Sequence, residues 1–497
     1  MLGAILTFAF APYGQWYLIY LCLPAWLFIC HRYSKTPFLT GWCFGLGYFG
    51  AGISWVHVSI ATFGGLPLIG SIFLMFLLCG YLALFPAISV WLLARFFSFS
   101  LWPLAAPFVW LVTEWIRAHL LTGFPWLSIG YSQMDTALVG LLPIVGEIGL
   151  SALMISFCAA VAVALSQKRV AAPLIYGSIL ICASWIAQQH NWITTKKDTV
   201  SIALVQGNIE QSIRWRPEQD IPTIEKYKRL TEPFWQHDII VWPEAAIPVL
   251  ESLPLGTETL ESLDLKATQM GTALITGSVD YNYLNKEAYN NLLALGIDKN
   301  GVNSMPYKYL HENRFAKHHL LPIGEFVPFE GIMRTLAPIF DLPMSSFNRG
   351  DFIQNNLVAN GYNLVPAICY EIAFPQQVKA NINEESDVII TVSNDAWFGN
   401  SHGPHQHLEI ARMRAIEFGL PVIRATNTGV TAAFDHKGNN VGQLPQFHDD
   451  VLSISMYLTK GHTPYKKFGD LPSYLFSLIA FGLALLLKRK FALKIGV

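Results

Sequence analysis

The sequence predicts a polytopic α-helical membrane domain of eight transmembrane helices joined to one large exterior α/β domain. Three observations predict it. Of 497 residues, 53% are hydrophobic and only 13% charged, where a soluble chain carries about 25% charged residues. The charge is also segregated. Residues 1–195 hold six Lys or Arg against three Asp or Glu, residues 471–497 hold four basic and no acidic residues, and residues 196–470 hold 23 basic and 31 acidic ones. Finally, the pattern changes near Thr199 from long apolar runs to short β-rich ones. A single soluble globule, a disordered chain and a nucleic-acid-binding surface are excluded. The expected division is a membrane domain over 1–195, an exterior domain over 196–470, and a last span with a basic tail over 471–497.

A helix needs roughly 20 apolar residues to cross about 30 Å of hydrocarbon. Candidate spans lie at 15–30, 37–60, 66–93, 101–116, 137–165, 170–187 and 471–487. The stretch 1–12 is apolar but short, and it lacks the basic start and cleavage site of a signal peptide. Basic residues mark the inner loops: His31, Arg32 and Lys35, then Arg95, then Lys168 and Arg169, then Lys488 to Lys490. Counting 1–12 as a span places both termini in the cytoplasm and the 196–470 block outside. Gly41, Gly45, Gly47, Gly50 and Gly52 are expected to let helices pack closely. Intramembrane charges are nearly absent, Glu147 being the clearest, so the spans read as a scaffold and not a conduit.

Within the exterior block, β-rich runs occupy 200–205, 238–242, 272–279, 291–297, 364–369, 387–392, 422–426 and 431–434. Helix-like stretches at 217–235, 258–270, 375–382 and 405–418 fall between several of them. Alternating strands and amphipathic helices predict a layered α/β domain with strands buried on both faces, so function is sought at the strands' carboxyl ends.

Six of the seven cysteines lie in or at the ends of apolar spans; only Cys369 is in the exterior block, where no disulfide can form within the domain. Cys369 ends the apolar run Leu364-Val-Pro-Ala-Ile-Cys369 and precedes Tyr370-Glu371 and a helix-like stretch after Pro375. A nucleophile on such a strand-to-helix turn is exposed, with the next backbone N–H available to an oxyanion. An ordinary thiol needs a base to act. His318, His319, His405 and His407 are candidates in space. So is Glu244, in Trp242-Pro243-Glu244 directly after a buried-strand pattern, an unusual place for an acid. Lys317 lies in another strand-and-turn setting, Lys317-His-His-Leu-Leu-Pro-Ile-Gly-Glu325-Phe-Val-Pro328. No metal-ligand spacing or phosphate-binding glycine loop occurs.

These three segments, in this order, resemble the Glu–Lys–Cys triad of the nitrilase superfamily. With the preceding and following spans, the whole chain resembles the apolipoprotein N-acyltransferase family of Gram-negative inner membranes. Matching stretches include Gly123-Phe-Pro-Trp126, Gly324-Glu325-Phe-Val-Pro328, Leu342-Pro-Met-Ser-Ser-Phe347 and Ser393-Asn-Asp-Ala-Trp-Phe-Gly399. The resemblance implies a nitrilase-like αββα sandwich, in the periplasm, on an inner-membrane protein. It implies that a phospholipid, phosphatidylethanolamine as the expected donor, gives its sn-1 acyl chain to the α-amine of a diacylglyceryl-modified N-terminal cysteine of an apolipoprotein. Cys369 is then the nucleophile, Glu244 the general base, and Lys317, with the Tyr370 N–H, the oxyanion stabiliser; no cofactor is implied. Glu325, Glu371 and Asn290 are auxiliary candidates, and Trp215, Trp397, Phe398 and Trp126 are candidate lipid contacts. The rivals are a membrane-tethered amidase or hydrolase using water as acceptor, and a non-enzymatic receptor.

Overall fold

A computed structural model of the chain describes residues 1–63, 67–299, 301–322, 324–326 and 347–495. Two units emerge, one helical (Met1–Ala61, Leu66–Trp192 and His462–Val497) and one built on two sheets (Ile193–Gly461). Of the matching stretches above, 327–328 and 342–346 lie outside the described residues.

Among the described residues of the helical unit, five helices are long and apolar enough to cross a membrane: Leu68–Phe96, Phe99–Thr122, Val139–Gln167, Ala171–Gln189 and Leu471–Lys490. The expected span at 37–60 is a pair, Pro37–Gly52 and Val56–Thr62, bent by 58°; counted as one, it makes six. The expected span at 15–30 is the 15-residue helix Leu18–Arg32, about 22 Å long. Residues 1–12 depart most from expectation. They give a helical turn, Leu2–Ile5, continued as a 3-10 turn, Leu6–Ala9. Eight residues reach only about 12 Å, because Pro12 disfavours helix at the preceding residue and the chain is already extended at Phe10. The count of eight spans is therefore not reached. Close helix packing holds at three of the glycines: a Cβ would meet the Ala87 Cα at 2.7 Å from Gly41, the Ala83 Cα at 2.7 Å from Gly45 and the Ala4 nitrogen at 3.0 Å from Gly47, whereas one at Gly50 would meet nothing within 4 Å.

In the second unit the described strands are β1 (Ile193–Gln206), β2 (Ile239–Val241), β3 (Ala273–Asn282), β4 (Glu287–Gly296), β5 (Arg314–Ala316), β6 (Leu357–Ala359), β7 (Tyr362–Ile368), β8 (Ser386–Ser393), β9 (Val422–Thr426), β10 (Ala432–Phe434), β11 (Asn440–Gln443) and β12 (Asp450–Gly461). The longer helices are α1 (Asp220–Thr231), α2 (Pro254–Met270) and α4 (Gly403–Phe418), with the short α3 (Pro375–Asn381) after β7. The strands form two six-stranded sheets, ordered β12-β1-β2-β3-β4-β5 and β11-β10-β9-β8-β7-β6.

Period-2 alternation explains the layers. On β1, Val200, Ile202 and Leu204 enter a core shared by both sheets, while Ala203 and Val205 enter a second core with Ile224 and Tyr227 of α1 and Leu260 and Leu263 of α2. β2 and β3 repeat this, with Ile239, Val241 and Ile275 in the shared core and Ile240 and Leu274 on the helix side. Burying one such side chain is worth roughly 1.5–3 kcal/mol, so a strand used on both faces is held strongly in register. β1, β2 and β3 run parallel, as do β7, β8 and β9. The carboxyl ends of each parallel set thus lie together, where sites form in open α/β sheets.

Candidate active site

Glu244 follows β2 in a turn whose next residue, Ala245, has φ +43°. The turn lies flat on β3 because a Cβ at Gly277 would meet the Ala245 nitrogen at 2.2 Å. Arg214, itself buried, donates to the carbonyls of both Glu244 and Ala245. This pins the backbone and leaves the carboxylate for other partners.

Lys317 directly follows β5 and is buried. Its Nζ donates to Glu244 Oε1 at 3.2 Å and to Glu325 Oε1 at 2.8 Å. Asn290, on β4, donates from Nδ2 to the same two oxygens at 2.9 and 3.1 Å. Backbone N–H groups complete the carboxylates: Asn394 to Glu244 Oε2 at 3.0 Å, and Leu321 to Glu325 Oε2 at 2.8 Å. Two acids and one ammonium are held together with few alternatives. Burial alone would raise Glu244, but Lys317, Asn290 and Arg214 outweigh it and hold the carboxyl below its ordinary value. Burial likewise opposes the Lys317 charge, and Glu244, Glu325 and Cys369 push the ammonium well above the usual lysine range.

Cys369 stands where β7 gives way to a 3-10 turn, Cys369–Ala373, with φ +55°, a conformation L residues seldom adopt. Burial pushes its thiol up, as do Glu244 and Asp395; Lys317 and a hydrogen bond from Ser393 act the other way. Glu371, fully buried, holds the turn. Its Oε2 accepts from the Ile368 N–H at 2.8 Å, and its Oε1 accepts from the N–H groups of His318 (2.7 Å) and His319 (3.0 Å) and from Gln377 Nε2 (2.6 Å). One carboxylate thus ties the cysteine turn to the segment after Lys317.

The structure brings Glu244, Lys317, Glu325 and Asn290 into direct contact; Glu371 acts on backbone. Tyr370 is buried, its ring 5.1 Å from Phe374. His319 stacks on Phe374 at 3.5 Å and His318 Nδ1 meets the Gly350 carbonyl. His407 reaches the Cys369 carbonyl at 3.0 Å.

Trp215, half-exposed, lies on the Arg214 guanidinium at 5.6 Å and lines an apolar cavity of about 500 Å³ with Pro248, Leu253, Val279 and Tyr281. Val279 pairs across the strands with Asn290. Trp397 and Phe398 are half-buried in the 3-10 turn Asp395–Phe398. Trp126 is buried in the helical unit, where Trp55 and Phe124 cover it. Sequence reasoning missed Arg214 and Arg424, and it gave no role to Ser393 or Asp395. The signal available for the last two was an acid and a hydroxyl at the end of a strand pattern.

Residues 2–160 match the apolipoprotein N-acyltransferase N-terminal domain and residues 201–459 match the carbon-nitrogen hydrolase family. Proteins named apolipoprotein N-acyltransferase from Photobacterium profundum and Vibrio parahaemolyticus are each 46% identical over 98% of this chain, covering 94% and 96% of their own lengths. One from Haemophilus influenzae is 38% identical over 96% of this chain and 92% of its own. A CN-hydrolase superfamily structure from Xanthomonas campestris, 18% identical, aligns with 52% of this chain and 91% of its own at a TM-score of 0.37.

Proposed function

The chain belongs to the apolipoprotein N-acyltransferase family, and from that premise we propose how its residues carry the reaction. A phospholipid donates its sn-1 acyl chain, the α-amine of a diacylglyceryl-modified N-terminal cysteine of a lipoprotein receives it, and Cys369 carries it between them as a thioester. Glu244 accepts the thiol proton as Sγ attacks the lipid ester carbonyl. The oxyanion is met by Lys317 and by the N–H of Tyr370, the residue after the nucleophile. Collapse expels lysophospholipid, which takes the proton back from Glu244. The amine then attacks the thioester, Glu244 receives the amine proton, and the departing thiolate takes it up. Ester, thioester and amide follow one another, so acyl transfer proceeds without ATP.

The observation that carries this reading is the buried ammonium of Lys317 held between Glu244 and Glu325, with its charge acting on the Cys369 thiol. Asn290 and Glu325 position that ammonium and the base. The apolar cavity beside Trp215 supports a lipid contact there. We place the protein in a bacterial inner membrane with phosphatidylethanolamine as donor, the catalytic unit in the periplasm and the basic carboxyl tail in the cytoplasm. The relatives give no support to a hydrolase using water as acceptor.

Purified protein given phospholipid without acceptor should gain one acyl mass, released by hydroxylamine, and Cys369→Ala should gain none. Transfer to acceptor by a wild-type enzyme that never carries the adduct would overturn the covalent route.

A further inference from the structure

Beneath the nucleophile lies a buried polar cluster that the mechanism above does not use. Strands β7 and β8 run parallel with Ile368 opposite Val392, so the residues that follow, Cys369 and Ser393, leave their strands side by side. Ser393 is fully buried, and its Oγ lies 3.4 Å from Cys369 Sγ and 2.6 Å from Asp395 Oδ1. Asp395 Oδ2 accepts from Arg424 Nη2 at 2.6 Å, and its Oδ1 lies 3.1 Å from His407 Nδ1. Arg424 Nη2 also lies 3.1 Å from His407 Nδ1, while His407 Nε2 lies 3.0 Å from the Cys369 carbonyl oxygen. A neutral imidazole protonated on Nε2 satisfies both of the last contacts. It donates to the carbonyl and accepts from Arg424.

A serine hydroxyl has one proton to donate and lone pairs to accept with. The two contacts of Ser393 therefore compete. Asp395 remains a carboxylate, because the Arg424 guanidinium outweighs burial and holds it far below the ordinary range. Its 2.6 Å contact has the length of a charge-assisted O–H···O⁻ bond. While Cys369 is a thiol, the Ser393 proton belongs to Asp395 and the oxygen's lone pair faces sulfur. Once Glu244 has taken the thiol proton, the charge on sulfur is a competing acceptor, and a rotation about the C–O bond of Ser393 delivers its proton to sulfur. Arg424 keeps Asp395 partnered throughout. Ser393 transfers no proton; only its hydrogen-bond direction changes.

We infer that Ser393 is a further catalytic residue of this site, stabilising the developing thiolate, and that Asp395, Arg424 and His407 are positioning residues that set its direction and hold the Cys369 turn. The inference rests on Cys369 being the nucleophile. The charged and titratable groups facing that sulfur are Glu244 after β2, Lys317 after β5 and Asp395 after β8. Arg424 on β9 and His407 on α4 lie behind Asp395, and Glu371 belongs to the cysteine's own turn. Of these, the Ser393 contact alone is removed by a serine-to-alanine change without altering any charge.

The test is the rate of iodoacetamide alkylation at Cys369 against pH, read by peptide mass on the full-length protein in lipid-free detergent. In Ser393→Ala the midpoint should move up by about one unit, as a group stripped of a hydrogen bond to its charged form does. Acyl-adduct formation near neutral pH should then fall by up to about tenfold, one pKa unit being a tenfold change, because the charge that grows on sulfur during attack has lost a hydrogen bond. Ser393→Thr keeps the hydroxyl and should restore the wild-type midpoint. Asp395→Asn removes a nearby negative charge and frees the hydroxyl, so its midpoint should move down. An unchanged midpoint in Ser393→Ala, or a Thr variant shifted as far as the Ala one, would overturn the role of Ser393. Acyl transfer surviving in Cys369→Ala would instead overturn the nucleophile assignment beneath it.

Discussion

At the scale of single residues, the site rests with a charged carboxylate and ammonium beside an uncharged thiol, the state that the proposed base and nucleophile require. Glu244 is held low and Lys317 high, whereas burial keeps the Cys369 proton in place. Proton transfer thus belongs to the attack on substrate, and removing the base should be felt there. In Glu244→Gln, single-turnover formation of the acyl adduct should slow by about 10²–10⁴-fold, the usual worth of a positioned base. A loss under threefold would assign the base elsewhere. The same variant should change acid stability. A carboxyl whose folded pKa lies below its unfolded one adds stability above the unfolded value, and that stability is lost as pH falls through the folded one. The difference in unfolding midpoint between wild type and Glu244→Gln should therefore stay constant from pH 7 to about 4.5, the ordinary value for this group, and shrink below it. A difference that grew on acidification would reverse the sign of the shift.

At the scale of elements, the turn after β7 depends on a single side chain. Glu371 accepts from three backbone N–H groups and Gln377, using both oxygens. An amide at this place must turn its NH₂ toward a donor whichever way it is flipped. Glu371→Gln, although isosteric, should thus cost about 1–3 kcal/mol for an unsatisfied buried group, read as a lower thermal midpoint together with slower alkylation of Cys369. Full stability in that variant would show the turn held by other means. The strands bounding this turn were legible in the sequence because they are buried on both faces, so 364–369 reads as an apolar run and 387–392 as a β-branched, largely apolar one. Missed were β5, β6, β11 and β12. Along β12, Ile454, Met456 and Leu458 are buried while Ser453, Ser455 and Tyr457 are exposed. That alternation is the pattern of a half-buried edge strand, which unbroken apolar runs alone do not reveal. The site divides similarly. Glu244 and Cys369 stand out locally, each a reactive group closing an apolar run, whereas Lys317, after Arg314-Phe-Ala316, is marked only by its strand-and-turn setting. The contact of Ser393 with Cys369 arises only from the parallel register of β7 and β8, and that of Arg424 with Asp395 from the neighbouring β9.

At the scale of the whole molecule, the near-zero net charge conceals an orientation. Basic residues recur after residues 30, 93, 165 and 487, and the intervening short connections are poor in them. On the orientation proposed above, alternation of these loops across the bilayer would put the acidic block outside and the tail inside, whether or not residues 1–12 span. Only the side on which Met1 lies depends on that segment, and its eight helical residues are too few to cross. The orientation of the catalytic unit is therefore independent of the feature on which expectation and structure part. Two exposed positions test it. Leu284, 93% exposed at the tip of the β3–β4 hairpin, belongs to the acidic block, and Tyr33, 73% exposed, lies in the first basic loop. In spheroplasts, a membrane-impermeant maleimide should label Leu284→Cys above the wild-type background and should leave Tyr33→Cys unlabelled until the membrane is permeabilised. The reverse pattern would turn the molecule over, and with it put Glu244, Lys317 and Cys369 on the cytoplasmic face.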